Sequence, residues 1–337
     1  MRVLLLVPWL IGPALALNPN LPTQEFSLKM PFSKPVLPET YLCSPMKLDS
    51  TQTNYIVGFR PDAWEKTAHH ILIYGCKSPA LQEPIYNCGG MTAHTPGYKS
   101  SFHPCGEGNE IVYAWAKNAP ELNLPEGVGF RVGKGSKIHW LVLQVHYASV
   151  DYIPPEGDVS GVYLRYTNVE QPKNAGVFYL GTNGRLPAKT TTFMDSACAL
   201  YENKVIHPFA FRVHTHGLGR VVSGWKVVGK NQWTLLGKED PQLPQMFYPV
   251  SNNSTLITKG DTIAARCTMV NYRDEAVWVG STKLNEMCNF YLMYWVDGKD
   301  ILEGNSCTSV GPPIYSWDGW LLGGGLSNVP KEASSLP

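Results

Sequence analysis

The chain has 337 residues, of which 44% are hydrophobic and only 16% charged, with a formal net charge of +1. That length points to two domains with real cores, and the sparse, balanced charge excludes nucleic acid or an acidic membrane surface as an electrostatically selected partner. The 31 Gly, 27 Pro, 17 Tyr and 10 Trp favour many short strands joined by turns.

At the N-terminus, Arg2 precedes the apolar run 3–11, and Ala14-Leu15-Ala16 follows as a small-x-small cleavage pattern. Residues 1–16 therefore read as a secretory signal peptide, too short for a membrane span. No later stretch is long and apolar enough to cross a bilayer, which predicts a protein secreted or held in the lumen of secretory vesicles. Residues 17–40, rich in Pro and polar groups, read as an extended lead-in. Strand-like runs follow at 54–59, 69–75, 111–116, 138–147 and 162–167, separated by turn clusters such as Pro154-Pro155-Glu156-Gly157. The segment 169–175, with Gln171-Pro172, reads as the join between halves. The same style resumes at 177–180, 205–216, 220–228, 233–236, 262–268, 277–280 and 290–296. Sustained helical period is scarce. The predicted fold is all-β: two antiparallel, jelly-roll-like β-sandwiches, residues 41–170 and 171–320, followed by a flexible tail over 321–337.

Eight cysteines suit an oxidising compartment, and their even count makes disulfides the default. Four lie before residue 110 and four after 195, so each half is expected to be stapled separately. Pairing is left open, since eight cysteines allow about a hundred connectivities. Their spacing is not that of paired CxxC zinc ligands. Asn252-Asn253-Ser254-Thr255 holds two overlapping glycosylation sequons, marking Asn252 or Asn253 as an acceptor on a surface loop.

Metal-ligand chemistry is concentrated in three places. His69-His70 opens an apolar run. Neighbours on a regular strand point to opposite faces, so both can grip one ion only where the strand begins or bends. His146 ends another run, and three neutral imidazoles suit copper and zinc equally. In Arg212-Val213-His214-Thr215-His216, alternation puts Arg212, His214 and His216 on one face of a strand end. Two imidazoles at that spacing can hold a metal, and the guanidinium can hold a carboxylate through a two-pronged pair of bonds. Met287, Asn289 and Tyr291 alternate likewise, offering a soft thioether beside an amide and a phenol. Cys288 falls on the opposite face, where Cys267 would suit it as a disulfide partner. His94, His103, His139 and His207 read as non-ligands.

Six segments carry a resemblance. They are His-His-Ile-Leu-Ile-Tyr-Gly-Cys (69–76), Tyr-Ala-Trp-Ala-Lys-Asn-Ala-Pro (113–120), Leu-Gln-Val-His-Tyr (143–147), Phe-Arg-Val-His-Thr-His (211–216), Pro-Gln-Leu-Pro-Gln-Met-Phe-Tyr-Pro-Val (241–250) and Met-Cys-Asn-Phe-Tyr (287–291). In that order, over roughly residues 40–315, the chain resembles the copper type II, ascorbate-dependent monooxygenases, and among them the peptidylglycine α-hydroxylating monooxygenases. The resemblance implies two copper ions, ascorbate as reductant and O2 as co-substrate. One copper, held by His69, His70 and His146, would relay electrons. The other, held by His214, His216 and Met287, would activate oxygen, with the two facing a shared gap. Arg212, Asn289 and Tyr291 would grip the C-terminal carboxylate of a glycine-extended peptide, whose α-carbon is hydroxylated as the first step of amidation. The implied disulfides are Cys43–Cys88, Cys76–Cys105, Cys198–Cys307 and Cys267–Cys288.

The chain departs from that family in places. The segment between Cys88 and Cys105 is long, Gly217 stands where peptide hydroxylases often carry another histidine, and a further cysteine pair of vertebrate-type relatives is missing. No lyase domain follows, so a separate hydroxyglycine lyase is the expected downstream partner. Two other functions compete: an amine hydroxylase of the dopamine or tyramine type, and a non-catalytic, secreted copper-binding β-sandwich protein.

Overall fold

A computed structural model describes residues 20–89, 102–319 and 323–336. The expected signal peptide, His94 and most of the long Cys88–Cys105 segment lie outside the described residues. The chain is almost entirely β, as its period-two patterning predicts.

In the first half the long strands are β1 (Gln24–Lys29), β2 (Thr40–Lys47), β3 (Thr53–Asp62), β4 (His70–Cys76), β5 (Glu110–Ala116), β6 (Val128–Gly133), β7 (Trp140–Tyr147) and β8 (Gly161–Thr167). They form two layers, β1-β8-β3-β6 and β2-β7-β4-β5. The lead-in is thus a paired edge strand, with Gln24 to Lys29 running antiparallel to β8. Side chains from both layers, among them Phe59, Ile71, Ile73, Leu143 and Val145, fill one core.

The second half holds β9 (Lys173–Thr182), β10 (Thr190–Ala199), β11 (His207–Thr215), β12 (Gly219–Val228), β13 (Gln232–Glu239), β14 (Thr262–Asn271), β15 (Cys288–Asp297) and β16 (Ser306–Ser309). One layer runs β16-β9-β15-β11 and the other β10-β14-β12-β13, around Phe178, Val213, Phe290 and Leu292. The two halves are not separated by a free linker. The expected join enters β9, which pairs in parallel with β6 at Val128↔Lys173 and Gly129↔Asn174, so one sheet crosses both halves. Disulfides close Cys43–Cys88, Cys76–Cys105, Cys198–Cys307 and Cys267–Cys288.

Over residues 323–336, the described part of the expected loose tail, the chain is instead packed. Leu326 and Ala333 join Trp225, Val227 and Trp317 in a third cluster, and Ser223 donates a hydrogen bond to the Ala333 carbonyl. Beneath it, buried Asp195 takes two hydrogen bonds from Arg266 and one from the Trp317 amide. Leu326 and Ala333, far beyond the last strand Ser306–Ser309, supply that contact, and glycine content hides them from pattern reading.

Strands β4 and β7 decide where the site lies. Every residue of β4 is buried, and so is all of β7 beyond Trp140. A strand buried on both faces needs a second layer, and the second half provides it. Tyr291 and Met293 of β15, with Phe209 and Ala210 of β11, belong to the same buried cluster as the first half's core. The face of the first half that carries His70 and His146 therefore meets the face of the second that carries Arg212 and His214.

Candidate metal centres and acid-binding residues

His69 precedes β4 and His70 begins it, so the strand start lets two adjacent side chains converge. The His69 amide donates to the His146 carbonyl (2.9 Å), and His70 is paired opposite His146 across β4 and β7. One ligand atom of each of the three imidazoles lies within 4.8 Å of the others. The Nδ1 atoms of His70 and His146 are buried without a hydrogen-bond partner. Leaving a buried acceptor unmatched is costly unless something fills it. Burial pushes the His69 pKa down to about 4, helped by the charge that His146 would carry, and holds His70 well below its ordinary value. Burial also lowers His146, against the opposing pull of Glu39. All three therefore present neutral nitrogen lone pairs at physiological pH. The donor set fits a metal that accepts imidazole.

Glu39 and Tyr41 set the His146 ring. The ring's Nε2 lies 3.2 Å from Glu39 Oε2, which leaves Nδ1 to face the cluster. Tyr41 stacks on it at 4.0 Å between centroids and 6° between planes, and donates its hydroxyl to the Ser281 carbonyl of the second half (2.8 Å).

Across the contact, β11 and β15 run antiparallel with Arg212↔Tyr291, His214↔Asn289 and Thr215↔Cys288 in register. One step beyond lie His216 and Met287. His214 Nδ1 sits 2.5 Å from Gln245 Oε1, and His216 Nδ1 sits 3.0 Å from the Asn285 carbonyl. Each Nε2 is thereby left for a ligand, the opposite choice from His70 and His146. Glu286 fastens the ends of both strands, because its carboxylate accepts from the amides of His216 (2.9 Å), Leu218 (2.6 Å) and Met287 (3.1 Å). Its side chain is fully buried, and desolvation raises its pKa. Met287 is also buried, with the Asn289 amide 3.9 Å from its sulfur. A thioether beside two imidazoles is a donor set for Cu(I).

The shared gap is narrow. The His70 and His214 rings lie 5.6 Å apart, edge to face. What remains is a cavity of about 250 Å³ lined by His69, His146, His214 and His216. Gly217 also lines it, and a Cβ there would meet nothing within 4 Å, so the missing histidine leaves room rather than a clash.

Arg212 is 2% exposed. Its Nε donates to the Gln245 carbonyl (2.8 Å), its Nη2 lies 3.4 Å from Gln245 Oε1, and its Cζ sits 5.2 Å from the Tyr291 ring centre. Among the described residues no carboxylate pairs with it. Burial lowers its pKa. Beside it, Asn289 donates to the Tyr291 hydroxyl (3.4 Å) and accepts from the Tyr179 hydroxyl (2.9 Å). A desolvated guanidinium with an amide and a phenol alongside can receive an acid group.

Sequence reasoning missed Glu39, Tyr41, Gln245, Asn285 and Glu286. Only Gln245 had a signal, lying inside the motif at 241–250. His139 and His207 stay outside both clusters: His207 stacks on Trp295 at 3.6 Å, and His139 Nε2 lies 3.0 Å from the Ser136 carbonyl. Asn252 and Asn253 are exposed, with Asn252 Oδ1 accepting from the Ser254 amide.

Residues 26–154 match the N-terminal domain of the copper type II ascorbate-dependent monooxygenases, and residues 173–319 match the C-terminal domain. The chain is 40% identical over 301 residues to peptidyl-glycine alpha-amidating monooxygenase A of Xenopus laevis, covering 88% of this chain and 31% of that protein. With the peptidylglycine alpha-amidating monooxygenase of Rattus norvegicus the identity is 38%, over 90% of this chain and 30% of the relative. DBH-like monooxygenase protein 1 of Homo sapiens is 26% identical over 76% of this chain and 44% of its own length. The chain thus spans about a third of the length of the amidating relatives it matches. With both domain matches covering most of the two halves, in chain order, the protein belongs to the copper type II ascorbate-dependent monooxygenase family.

Proposed function

We propose that this protein hydroxylates the α-carbon of the C-terminal glycine of glycine-extended peptides, using two coppers, ascorbate and O2. The observation that carries the reading is Arg212, a guanidinium buried one strand step from His214 and paired with no carboxylate among the described residues. His69, His70 and His146 would hold one copper, and His214, His216 and Met287 the other. Copper supplies one-electron storage and the activation of dioxygen.

The chain's own residues do the positioning. Arg212 takes the terminal carboxylate, with Asn289 and Tyr291 donating beside it, and the period-two strand then sets the glycine α-carbon toward His214. Orientation of that kind can supply about 7–11 kcal/mol of a barrier. The product is a hydroxyglycine peptide, which a separate lyase would cleave to the amide. Four disulfides suit an oxidising compartment, which supports secretion or a vesicle lumen.

The 41–170 and 171–320 halves would act as an electron-relay unit and an oxygen-and-peptide unit. The test supplies the copper-loaded protein with ascorbate, O2 and a peptide ending in glycine, with tyramine in parallel. Gain of one oxygen by the peptide alone is expected. Hydroxylation of tyramine alone would assign the chain to the amine hydroxylases, and inertness toward both would leave a copper-binding protein.

A further inference from the structure

The cavity between the two histidine clusters has a charged rim that peptide binding does not use. Lys117, Arg273 and Lys283 line it together with His69 and His216, and no carboxylate is among its described lining residues. Arg212, the acid receptor, does not line it either.

Lys117 and Arg273 are held in place by backbone carbonyls. Lys117 follows β5 in a left-handed backbone conformation (φ 52°) and donates to the carbonyls of Pro241 (3.1 Å) and Gln242 (3.2 Å). Arg273 donates to the Leu284 carbonyl (2.9 Å). Lys283 has one acidic neighbour, Glu39 at 3.9 Å, which it shares with His146. Asp240, Glu65 and Glu286 act on Lys117 from outside the lining, and burial lowers its pKa. Among the described lining residues the three cations meet no carboxylate, so the wall of the mouth is positive. The volume, about 250 Å³, is below the roughly 300–1,000 Å³ of drug-sized ligand pockets and suits a small anion.

One further feature selects the anion. His70 and His146 are buried, 6% and 2% exposed, whereas His69 keeps a partly open edge on this cavity. An electron donor in this cavity therefore meets the first cluster chiefly at His69, the most open of the three imidazoles. We propose that the cavity is the reductant's docking site, where the ascorbate monoanion sets its enediolate among Lys117, Arg273 and Lys283 with its ring against His69. The proposal rests on the copper monooxygenase reading above. Each ascorbate monoanion gives one electron to a cupric ion at the His69 cluster and one proton to solvent, and departs as the ascorbyl radical anion. Two such visits supply the two electrons that one hydroxylation consumes.

The test uses the copper(II)-loaded full chain under anaerobic conditions and follows loss of the cupric electron-spin signal against ascorbate concentration. In Arg273→Gln and in Lys117→Gln/Arg273→Gln, half-saturation by ascorbate should rise roughly tenfold per charge-assisted bond removed. Reduction by hydroquinone, which is neutral, and the KM for a glycine-ended peptide should stay at wild-type values. Arg273→Lys should keep most of the ascorbate affinity. Equal slowing with hydroquinone, or unchanged ascorbate saturation in the double variant, would overturn the site. A raised peptide KM with normal ascorbate saturation would overturn it too, by giving the cavity to the peptide. Failure of copper to bind or to be reduced by either donor would refute the underlying reading, and the site with it.

Discussion

Replacing Arg212 with Gln separates substrate recognition from folding more cleanly than any other change in this site. The guanidinium is 2% exposed and meets the Gln245 carbonyl, Gln245 Oε1 and Tyr291, whose ring it faces and whose hydroxyl it hydrogen-bonds. Desolvation outweighs those contacts, since its pKa is lowered. A charge kept in that condition is a cost to the free protein that an incoming carboxylate would offset. One charge-assisted hydrogen bond contributes about 1.5–3 kcal/mol, so losing a single prong should lower kcat/KM for a glycine-ended peptide by roughly 10- to 150-fold. Thermal stability should hold or rise, because the substitution removes a buried charge and Gln can still reach the Gln245 carbonyl. Steady-state kinetics with a glycine-ended peptide and its C-terminal amide, beside thermal unfolding, reads both effects. The variant should lose its preference for the acid. Unchanged kcat/KM would reject the role of Arg212. A large fall in the unfolding midpoint, with activity lost only in proportion, would show that the residue is a structural member of the core.

Three further outcomes follow from the same geometry. Glu286→Gln takes away one of the acceptor oxygens serving the His216, Leu218 and Met287 amides, leaving a buried N–H unmatched at about 1–3 kcal/mol. Copper retained after dialysis should then fall from two equivalents toward one, and full retention would refute the clamp. In the metal-free protein His69 has a folded pKa of about 4 against an ordinary 6.5, so above 6.5 neither state is protonated and nothing is lost. As pH falls from 6.5 toward 4 the unfolded chain gains a proton that the native state refuses, removing roughly 3 kcal/mol. Thermal melts across that window should fall steadily, and a flat profile would contradict the burial of the cluster. Asp195→Asn should cost about 3–5 kcal/mol in denaturant unfolding, because it leaves the buried Arg266 without its counter-charge. An unchanged midpoint would mean that the Phe193 and Trp317 rings beside Arg266 suffice to hold it.

What could be read from the residues in order, and what could not, divides along a physical line. Alternation reports which side chains share a face, so Arg212, His214 and the Asn289–Tyr291 pair were legible, as was the need for His69 and His70 to sit at a strand start. It does not report what covers that face. Glu39 meets His146 across 107 positions and Glu286 meets His216 across 70, and neither carboxylate has a local pattern that announces its partner. The packed tail was missed for the same reason, since Leu326 and Ala333 find Trp225 only after the chain has turned back on itself. One sign of the covering layer was present all the same. The runs 70–76 and 141–147 are apolar on both faces, yet one face carries His70 and Tyr74 on the first strand and Gln144 and His146 on the second. A sandwich with one wet face does not need the apolar members, and a strand inside a single dry core cannot satisfy the polar ones. Titratable groups on a doubly buried strand therefore require a second body that brings partners of its own, and here the second body brings Arg212 and His214. The residues proposed to hold copper and the interface between the halves are one structure. A substitution that opens the interface should accordingly change copper coordination before it changes the stability of either sandwich.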